Sequence, residues 1–595
     1  MTAPPAAARR WFRPAGGARL GLAVAVVGVG AGVGAIVFRF LIIAVTRLVT
    51  GQDDYAATPG APWVWWPAVG TWFLVAAPVV GGLLYGPLVY RWAREARGHG
   101  VPEVMLAVAQ NDGRIRPRVA VVKSLASALC IGTGGSVGRE GPIVQIGSAI
   151  GSSLGGWLRV PGSRLRLLVA CGAAGGISAT FNAPIAGVFF ALEIILVDFS
   201  PLSFLTVTAA SAIANTVARA ADGSATFLVL PAFRVGPAWE YLLFAVVGLV
   251  GGGVGVAFTK VLYGAEDLAD RVWRGPEWLR PAVGGVLLGL LLVALPQMYG
   301  VGYPVLRQGV AGGYALGFLV VLLVGKLVAT SLTLAIGGSG GIFAPSLFLG
   351  AMTGTALGDG FGLVGGAGPA GAYGLVGMAA VLAGATRAPI TAVVIVAEIT
   401  GEWDLVVPLM IAVVLATLVS RGLSAETIYT LKLTRRGIRL HPPGLPRWAR
   451  RTAGEAVSGP AGAAGPDGAA GLDGAARRLG PVRWAPVLDA DRPLGAAADD
   501  LGEQAGPAGA SAGLPVLASD GRRLLGVLRP DALVDGGAGV DAAEDLRCVV
   551  ELPGPPPADW APPAGFVRLE GTDRLLVGPR AALDELVRTL PEPPD

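Results

Sequence analysis

A carboxylate set between glycines inside an apolar stretch is the first feature of this sequence that could do chemistry. Glu140 lies in Gly138-Arg139-Glu140-Gly141-Pro142, and 203 residues further on a second glycine-rich turn, Gly341-Ile342-Phe343-Ala344-Pro345, again ends in proline ahead of an apolar run. Proline suits the first turn of a helix, where its missing N–H is not needed, and glycine lets the preceding backbone turn sharply. Each turn therefore predicts a helix start with free N–H groups and the positive end of the helix dipole exposed. Such ends bind anions without placing a full basic charge in an apolar medium. Two of them from facing halves would make an electropositive site at mid-depth in a membrane, suited to a small anion that must also leave again. Glu140 would compete with that anion for the same amides. Ionised, it plugs the site; protonated or displaced by anion, it swings away, so proton and anion occupancy are linked. The plain alternative for Glu140 is a structural ion pair with the adjacent Arg139.

The two turns belong to an internal repeat. Lys123 to Gly151 and Lys326 to Gly354 align at a constant offset of 203, matching at the lysines, at the Gly-Gly-Ser beginning at Gly134 and Gly337, at Gly138 and Gly341, and at Pro142 and Pro345. Ala183-Pro184-Ile185 and Glu193 recur as Ala388-Pro389-Ile390 and Glu398 at offset 205. Membrane proteins with two related halves are commonly transporters or channels whose site lies where the halves meet. Duplication can also be purely architectural.

Composition agrees with a membrane setting. Of 595 residues 53% are hydrophobic and only 15% charged, against about 25% charged in soluble domains. The 91 glycines and 45 prolines would suggest disorder in a polar chain, but a mean hydropathy of +0.62 excludes that for the whole. Apolar blocks at Leu20–Val49, Trp63–Leu88, Tyr241–Leu262, Ala282–Leu295 and Leu405–Val419 read as spans, while 119–200 and 317–400 are chopped by Gly and Pro and read as short or broken intramembrane helices. Two histidines and three cysteines cannot make a His-rich metal site or a disulfide framework. No nucleophile and base pair appears in the spans, so the reading is not an enzyme, and no metal or cofactor is expected.

Charge divides the chain. From His441 onward there are 15 basic and 22 acidic residues, leaving 31 basic and 19 acidic before it. The basic excess clusters at Arg9, Arg10, Arg13 and Arg19 ahead of the first span, and at Arg421, Lys432, Arg435, Arg436 and Arg439 after the last. By the positive-inside rule both termini are cytoplasmic. Arginines that flank spans do not form a nucleic-acid stripe on a soluble domain, so nucleic acid is not an expected partner. The first apolar run is too long for a cleaved leader and reads as a retained span. The organisation is then a cytoplasmic N-terminus at 1–18, a transmembrane domain at 19–440 with repeats at about 60–235 and 240–430, an Ala/Gly/Pro linker at 441–480, and a cytoplasmic tail at 481–595.

These motifs resemble the ClC family of chloride channels and proton/chloride antiporters. Gly138 to Pro142 matches the family's GREGP, Gly341 to Pro345 matches GxFxP, and Gly98 to Pro102 occupies the place of GSGIP. The resemblance implies an all-α polytopic protein of two inverted-repeat halves of short tilted helices, working as a homodimer in a plasma (inner) membrane with membrane lipid around it. It implies that Glu140 is the gating glutamate, that the amides of Arg139 and Gly141 line an outer anion position and those of Ile342 and Phe343 a central one, and that Tyr429 donates its hydroxyl to the central anion. A tyrosine merely packed on its helix is the alternative for Tyr429. Where the family has a serine this chain has His99, whose imidazole would donate N–H and bind more strongly when protonated; otherwise the backbone amides of Gly98 and Gly100 do the work. The family's antiporters carry an inner proton-relay glutamate at the position that aligns with Ile194, which cannot carry a proton. Glu193 recurs as Glu398, which favours capping of neighbouring backbone for both.

The function implied is transport of chloride or a related small anion, channel-like or coupled to protons. The alternative is a non-conducting membrane anion sensor signalling through its tail. In the tail, Leu514–Leu528 reads as strand, Asp-Gly turn, strand, followed by a helix start at Arg529–Leu533, resembling one degenerate CBS unit in a small α/β tail. No second copy is evident, so nucleotide binding there rests on a single unit.

Overall fold

The computed structural model describes residues 14–438, apart from 224, 225, 229, 231, 232, 234, 235 and 364–367, and seven short strands between 483 and 579. The chain divides into two compact units, Met1–Leu440 and His441–Asp595. The basic residues Arg9, Arg10, Arg13 and Arg439, the linker at 441–480 and the helix start at Arg529–Leu533 lie outside the described residues.

Among the described residues, the regular elements of the first unit are all helices. Eight helices run α1 (Pro14–Thr50), α2 (Phe73–Trp92), α3 (Val101–Gln110), α4 (Arg118–Gly132), α5 (Glu140–Trp157), α6 (Gly162–Phe181), α7 (Pro184–Phe190) and α8 (Pro201–Asp222). Eight more follow in the same order: α9 (Glu240–Val272), α10 (Arg280–Ala294), α11 (Tyr303–Val310), α12 (Leu316–Ala335), α13 (Phe343–Leu363), α14 (Ala370–Thr386), α15 (Pro389–Thr400) and α16 (Val406–Leu423). A short α17 (Thr430–Thr434) closes the unit. Six helices, α1, α2, α8, α9, α12 and α16, are long and apolar enough to cross a membrane. This unit is an all-α polytopic membrane domain.

Two features of the sequence reading change. The block Trp63–Leu88 is not one span, because its helix begins only at Phe73. Pro67 opens a separate turn over Pro67–Val69, and the indole N–H groups of Trp63 and Trp65 donate to the carbonyls of Val49 at 2.8 Å and Leu48 at 3.0 Å. The segment folds back to satisfy the last carbonyls of α1, which lack intrahelical partners. In the second half, 317–400 is not uniformly broken: α12 runs 20 residues without interruption, and the break falls after it, at Gly337.

Glycine sets how closely the broken helices approach. A methyl group on Gly147 would lie 2.1 Å from the carbonyl oxygen of Gly172, and one on Gly350 would lie 2.3 Å from that of Gly377. These are the α5–α6 and α13–α14 crossings, matched between the halves. Inside a bilayer, helices gain most from such small-residue contact, because lipid removes the hydrophobic drive. The close crossings fix the direction in which α5 and α13 point their N-termini.

In the second unit the described strands form two small sheets, β1 (Arg483–Trp484), β2 (Leu488–Asp489), β3 (Leu514–Leu517), β4 (Leu524–Leu528), β5 (Cys548–Leu552), β6 (Phe566–Arg568) and β7 (Leu575–Pro579) being arranged in the orders β1-β5-β7-β6 and β2-β3-β4. β3 and β4 pair antiparallel, with a register shift between Val516 and Leu517.

Candidate functional site

The two glycine turns meet head-on. Gly138 N donates to Gly341 O at 2.7 Å and Gly341 N to Gly138 O at 2.5 Å, an antiparallel bridge between equivalent residues of the repeat. The serines of the Gly-Gly-Ser motifs continue the exchange. Ser127 Oγ and Ser339 Oγ lie 2.9 Å apart, and Thr330 Oγ1 donates to Ser136 O at 2.8 Å. Each half thus holds the other's turn.

The repeated lysines are buried and serve as backbone clamps. Lys123 Nζ donates to Ala96 O at 3.0 Å and Gly98 O at 2.6 Å. Lys326 Nζ donates to Ser136 Oγ at 3.0 Å, Gly300 O at 3.2 Å and Val301 O at 2.9 Å, which uses all three of its protons. The clamped segments are the turns that lead into α3 and α11.

Glu140 is 1% exposed and reaches out of its own half. Its Oε2 accepts from the amide of Ala344, in the first turn of α13, at 3.3 Å. Its Oε1 accepts from the hydroxyl of Tyr303, the first residue of α11. Hydrogen bonds to a charged acceptor are worth about 1.5–3 kcal/mol each, and a helix N-terminus adds up to about 2 kcal/mol in a partly buried setting. Together they match the several kcal/mol that burying a carboxylate costs. The carboxylate therefore occupies a helix end built for an anion.

Glu140, Gly141, Ile342, Phe343 and Tyr429 line one pocket, walled further by Val101 and Phe190 and narrower than a water molecule. Tyr429 is 2% exposed, and among the described residues its hydroxyl makes no hydrogen bond. Arg139 is not among the lining residues. Its Nη2 donates to Thr180 O at 3.3 Å, and the guanidinium lies 5.2 Å over the ring of Phe227 and 5.6 Å over that of Tyr303. No ion pair joins Arg139 to Glu140 among the described residues, so the structural ion-pair alternative does not describe this arrangement. Gly100 and His99 stand one layer away, backbone against backbone: a methyl on Gly141 would meet His99 O at 2.1 Å, and one on Gly100 would meet Gly141 O at 3.0 Å.

His99 is fully buried, and its tautomer follows from its neighbours. The Tyr263 hydroxyl donates to Ile428 O at 2.6 Å, which commits its one proton. His99 Nε2, 3.2 Å from the same oxygen, must then be the donor. The neutral imidazole carries its proton on Nε2, and buried Nδ1 is left as a lone pair without a partner. The N–H expected from His99 is thus spent on Tyr263 rather than offered to an anion. Its ring centroid lies 6.1 Å from that of Tyr429.

On a further side, Gly98 and Tyr263 border a cavity of about 620 Å³ that also holds Arg97, Lys432, Arg435, Arg436 and Glu266. Lys432 Nζ lies so close that a methyl on Gly98 would be 2.4 Å from it. A cation thus stands where the larger cavity meets the glycine turn.

Ile194 is buried in the π-helical turn Ala191–Leu196 that prolongs α7. The neighbouring carboxylate is occupied elsewhere: Glu193 accepts from Ile390 N at 3.2 Å, Thr391 N at 2.8 Å and Thr391 Oγ1 at 2.7 Å. Glu398 returns the contact, accepting from Ile185 N at 3.0 Å and Ala186 N at 2.7 Å. Each glutamate caps the N-terminus of the helix that carries its counterpart's repeat.

Sequence reasoning missed Tyr303. A signal for it was present: Gly98-His99-Gly100-Val101-Pro102 recurs as Gly300-Val301-Gly302-Tyr303-Pro304 at offset 202. The second copy turns at Gly302 with φ +88° and presents a tyrosine where the first has Val101.

Residues 81–421 match the family model described as voltage gated chloride channel. A ClcB-like protein of Ralstonia nicotianae, bearing a chloride channel name, is 32% identical over 437 residues, covering 71% of this chain and 100% of that one. An H(+)/Cl(-) exchange transporter, ClcA of Vibrio parahaemolyticus, is 36% identical over 364 residues, covering 58% of this chain and 76% of its own. Among solved structures, a slow cyanobacterial Cl-/H+ antiporter superposes with a TM-score of 0.63 at 25% identity, covering 70% of this chain and 98% of the other. With matched helix ends, the crossed carboxylate and a family model that spans more than half of its length, the chain belongs to the ClC family of chloride channels and transporters.

Proposed function

We propose that this protein carries chloride, or a related small anion, across a membrane through a pathway gated by Glu140, with proton and anion occupancy of the gate linked. The observation that carries this reading is the hydrogen bond from Ala344 N to Glu140 Oε2. A carboxylate held at a helix N-terminus is both a stand-in for a permeant anion and a proton acceptor. On protonation it loses its claim on the amide, and an anion takes the position. In this reading the amides of Arg139 and Gly141 serve an outer position, and those of Ile342 and Phe343, with the Tyr429 hydroxyl, a central one. The turn of His99 and Gly100 forms the inner edge, supplied from the cavity beside Lys432.

Relatives bearing an exchange-transporter name support coupling of chloride to protons. Buried, apolar Ile194, with Glu193 engaged as a cap, favours passive conduction instead. Reversal potential in vesicles containing the purified protein, with a fixed chloride gradient and a varied pH gradient, separates the two. A shift with the pH gradient identifies coupled exchange, and no shift identifies a channel. Absence of any anion flux would overturn the proposal and leave the sensor.

The family resemblance extends the reading to a homodimer in the plasma membrane, with both termini cytoplasmic by the basic residues in the last turn of α16 and after it, such as Arg421, Arg435 and Arg436. The tail is read as one degenerate CBS-like unit built on the β3–β4 hairpin, and a nucleotide ligand there would show as stabilisation of the full-length protein by adenine nucleotide.

A further inference from the structure

We propose that Tyr303 is the latch of the gate: a positioning residue whose hydroxyl holds the ionised Glu140 carboxylate in the pathway and so sets how readily protons or anions displace it. This rests on the gating role assigned to Glu140 above. The hydroxyl donates to Glu140 Oε1 while Ala344 N donates to Oε2, so the two oxygens are held from two different helices of the second half. A protonated carboxyl keeps its proton on one oxygen and is a poorer acceptor for both donors, so the pair of bonds selects the ionised gate.

Tyr303 is itself held from three sides. Its ring stands edge-on to Phe227 at 4.8 Å between centroids. The Arg139 guanidinium covers its face, and by spanning Tyr303 and Phe227 it ties the residue next to the gate to the latch. Behind it, Lys326 fixes the carbonyls of Gly300 and Val301, three and two residues before the tyrosine. The charged and titratable groups facing the gate are therefore Arg139 on its own turn, Tyr303 on α11, Lys326 on α12 and Tyr429 ahead of α17, with Asp54 within electrostatic reach of Arg139 and Lys326. Among these, Tyr303 alone donates a side-chain hydrogen bond to Glu140. Its repeat counterpart Val101 has no hydroxyl, so the latch exists in one half only.

The test is anion flux against pH in vesicles for wild type, Tyr303→Phe, Glu140→Gln and the double variant. Tyr303→Phe keeps the ring stack and removes only the hydroxyl. The expected result is a flux-against-pH curve displaced by about one unit toward higher pH, together with an approximately tenfold lower half-saturating chloride concentration, the size of one lost hydrogen bond to a charged acceptor. Tyr303→Phe should add nothing in the Glu140→Gln background, where there is no ionised carboxylate to hold. An unshifted curve in Tyr303→Phe overturns the latch, as does an equal effect of the substitution with and without Glu140. If Glu140→Gln itself leaves pH dependence intact, it is the gating role of Glu140 that fails, and the two failures are told apart.

Discussion

Glu140 and Ala344 are 204 residues apart in sequence and 3.3 Å apart in space, carboxylate oxygen to backbone amide. The acceptor belongs to the helix start of one half and the donor to the equivalent helix start of the other. The anion-attracting end of α13 is thus filled by a side chain supplied across the repeat interface. That single contact joins architecture to mechanism.

His99 offers its only proton to Tyr263 and leaves Nδ1 as a buried lone pair. A lone pair does not favour an anion, whereas a hydroxyl donor would. His99→Ser is expected to tighten chloride, lowering the half-saturating concentration about tenfold, the value of one hydrogen bond to a charged partner. Flux against chloride concentration, with nitrate in parallel, measures this; unchanged affinity for both anions would remove His99 from the site.

Lys326 satisfies three acceptors at once, two of them buried and one half-buried. Replacing it by methionine keeps the bulk and strands all three, at about 1–3 kcal/mol for each unsatisfied group. Lys326→Met is expected to lower stability by about 3 kcal/mol or more in denaturant unfolding monitored in detergent. The exposed Lys260→Met should stay within about 0.5 kcal/mol of wild type.

Glu193 and Glu398 cap each other's helices, so they should behave alike in stability. Glu193→Gln and Glu398→Gln are each expected to cost about 0.5–2 kcal/mol, the range for a lost helix cap. Because the Glu193 carboxylate is committed to Thr391 and Ile390, its replacement should leave the reversal potential where it was. A reversal potential that moves in Glu193→Gln would make this residue part of the proton route.

Gly350 crosses Gly377 so closely that a methyl group would sit 2.3 Å from its carbonyl oxygen. Gly350→Ala must separate α13 from α14 and tilt the helix end that holds Glu140. An overpacking cost of about 1–3 kcal/mol is expected, with a loss of flux at every pH. Gly253→Ala, which meets no neighbouring atom, is the matched control.

Much of this was legible in the sequence because the informative residues are local. Proline marks a helix start: α5 and α13 begin just before the proline that ends a glycine turn, and α7 and α15 begin at Pro184 and Pro389, each after an alanine. The repeat register then paired the two turns correctly. What the sequence withheld was which atom meets which. Nothing in the motif of Glu140 says that its carboxylate binds the opposite half, or that Arg139 turns to aromatic faces instead of to its neighbour. The tautomer of His99 depends on Tyr263 and Ile428, 164 and 329 residues away, beyond any local pattern. Trp63 and Trp65 read as part of a span because hydropathy does not register that their indoles are needed at the end of α1.

The most direct test of Glu140 as the gate is the pH dependence of anion flux in vesicles, wild type against Glu140→Gln. Glutamine mimics the protonated carboxyl and cannot ionise, so the variant is expected to conduct at every pH with a flat profile, while wild-type flux falls as pH rises. A variant whose flux keeps the wild-type pH dependence would contradict the account, and titration would then have to be sought at His99.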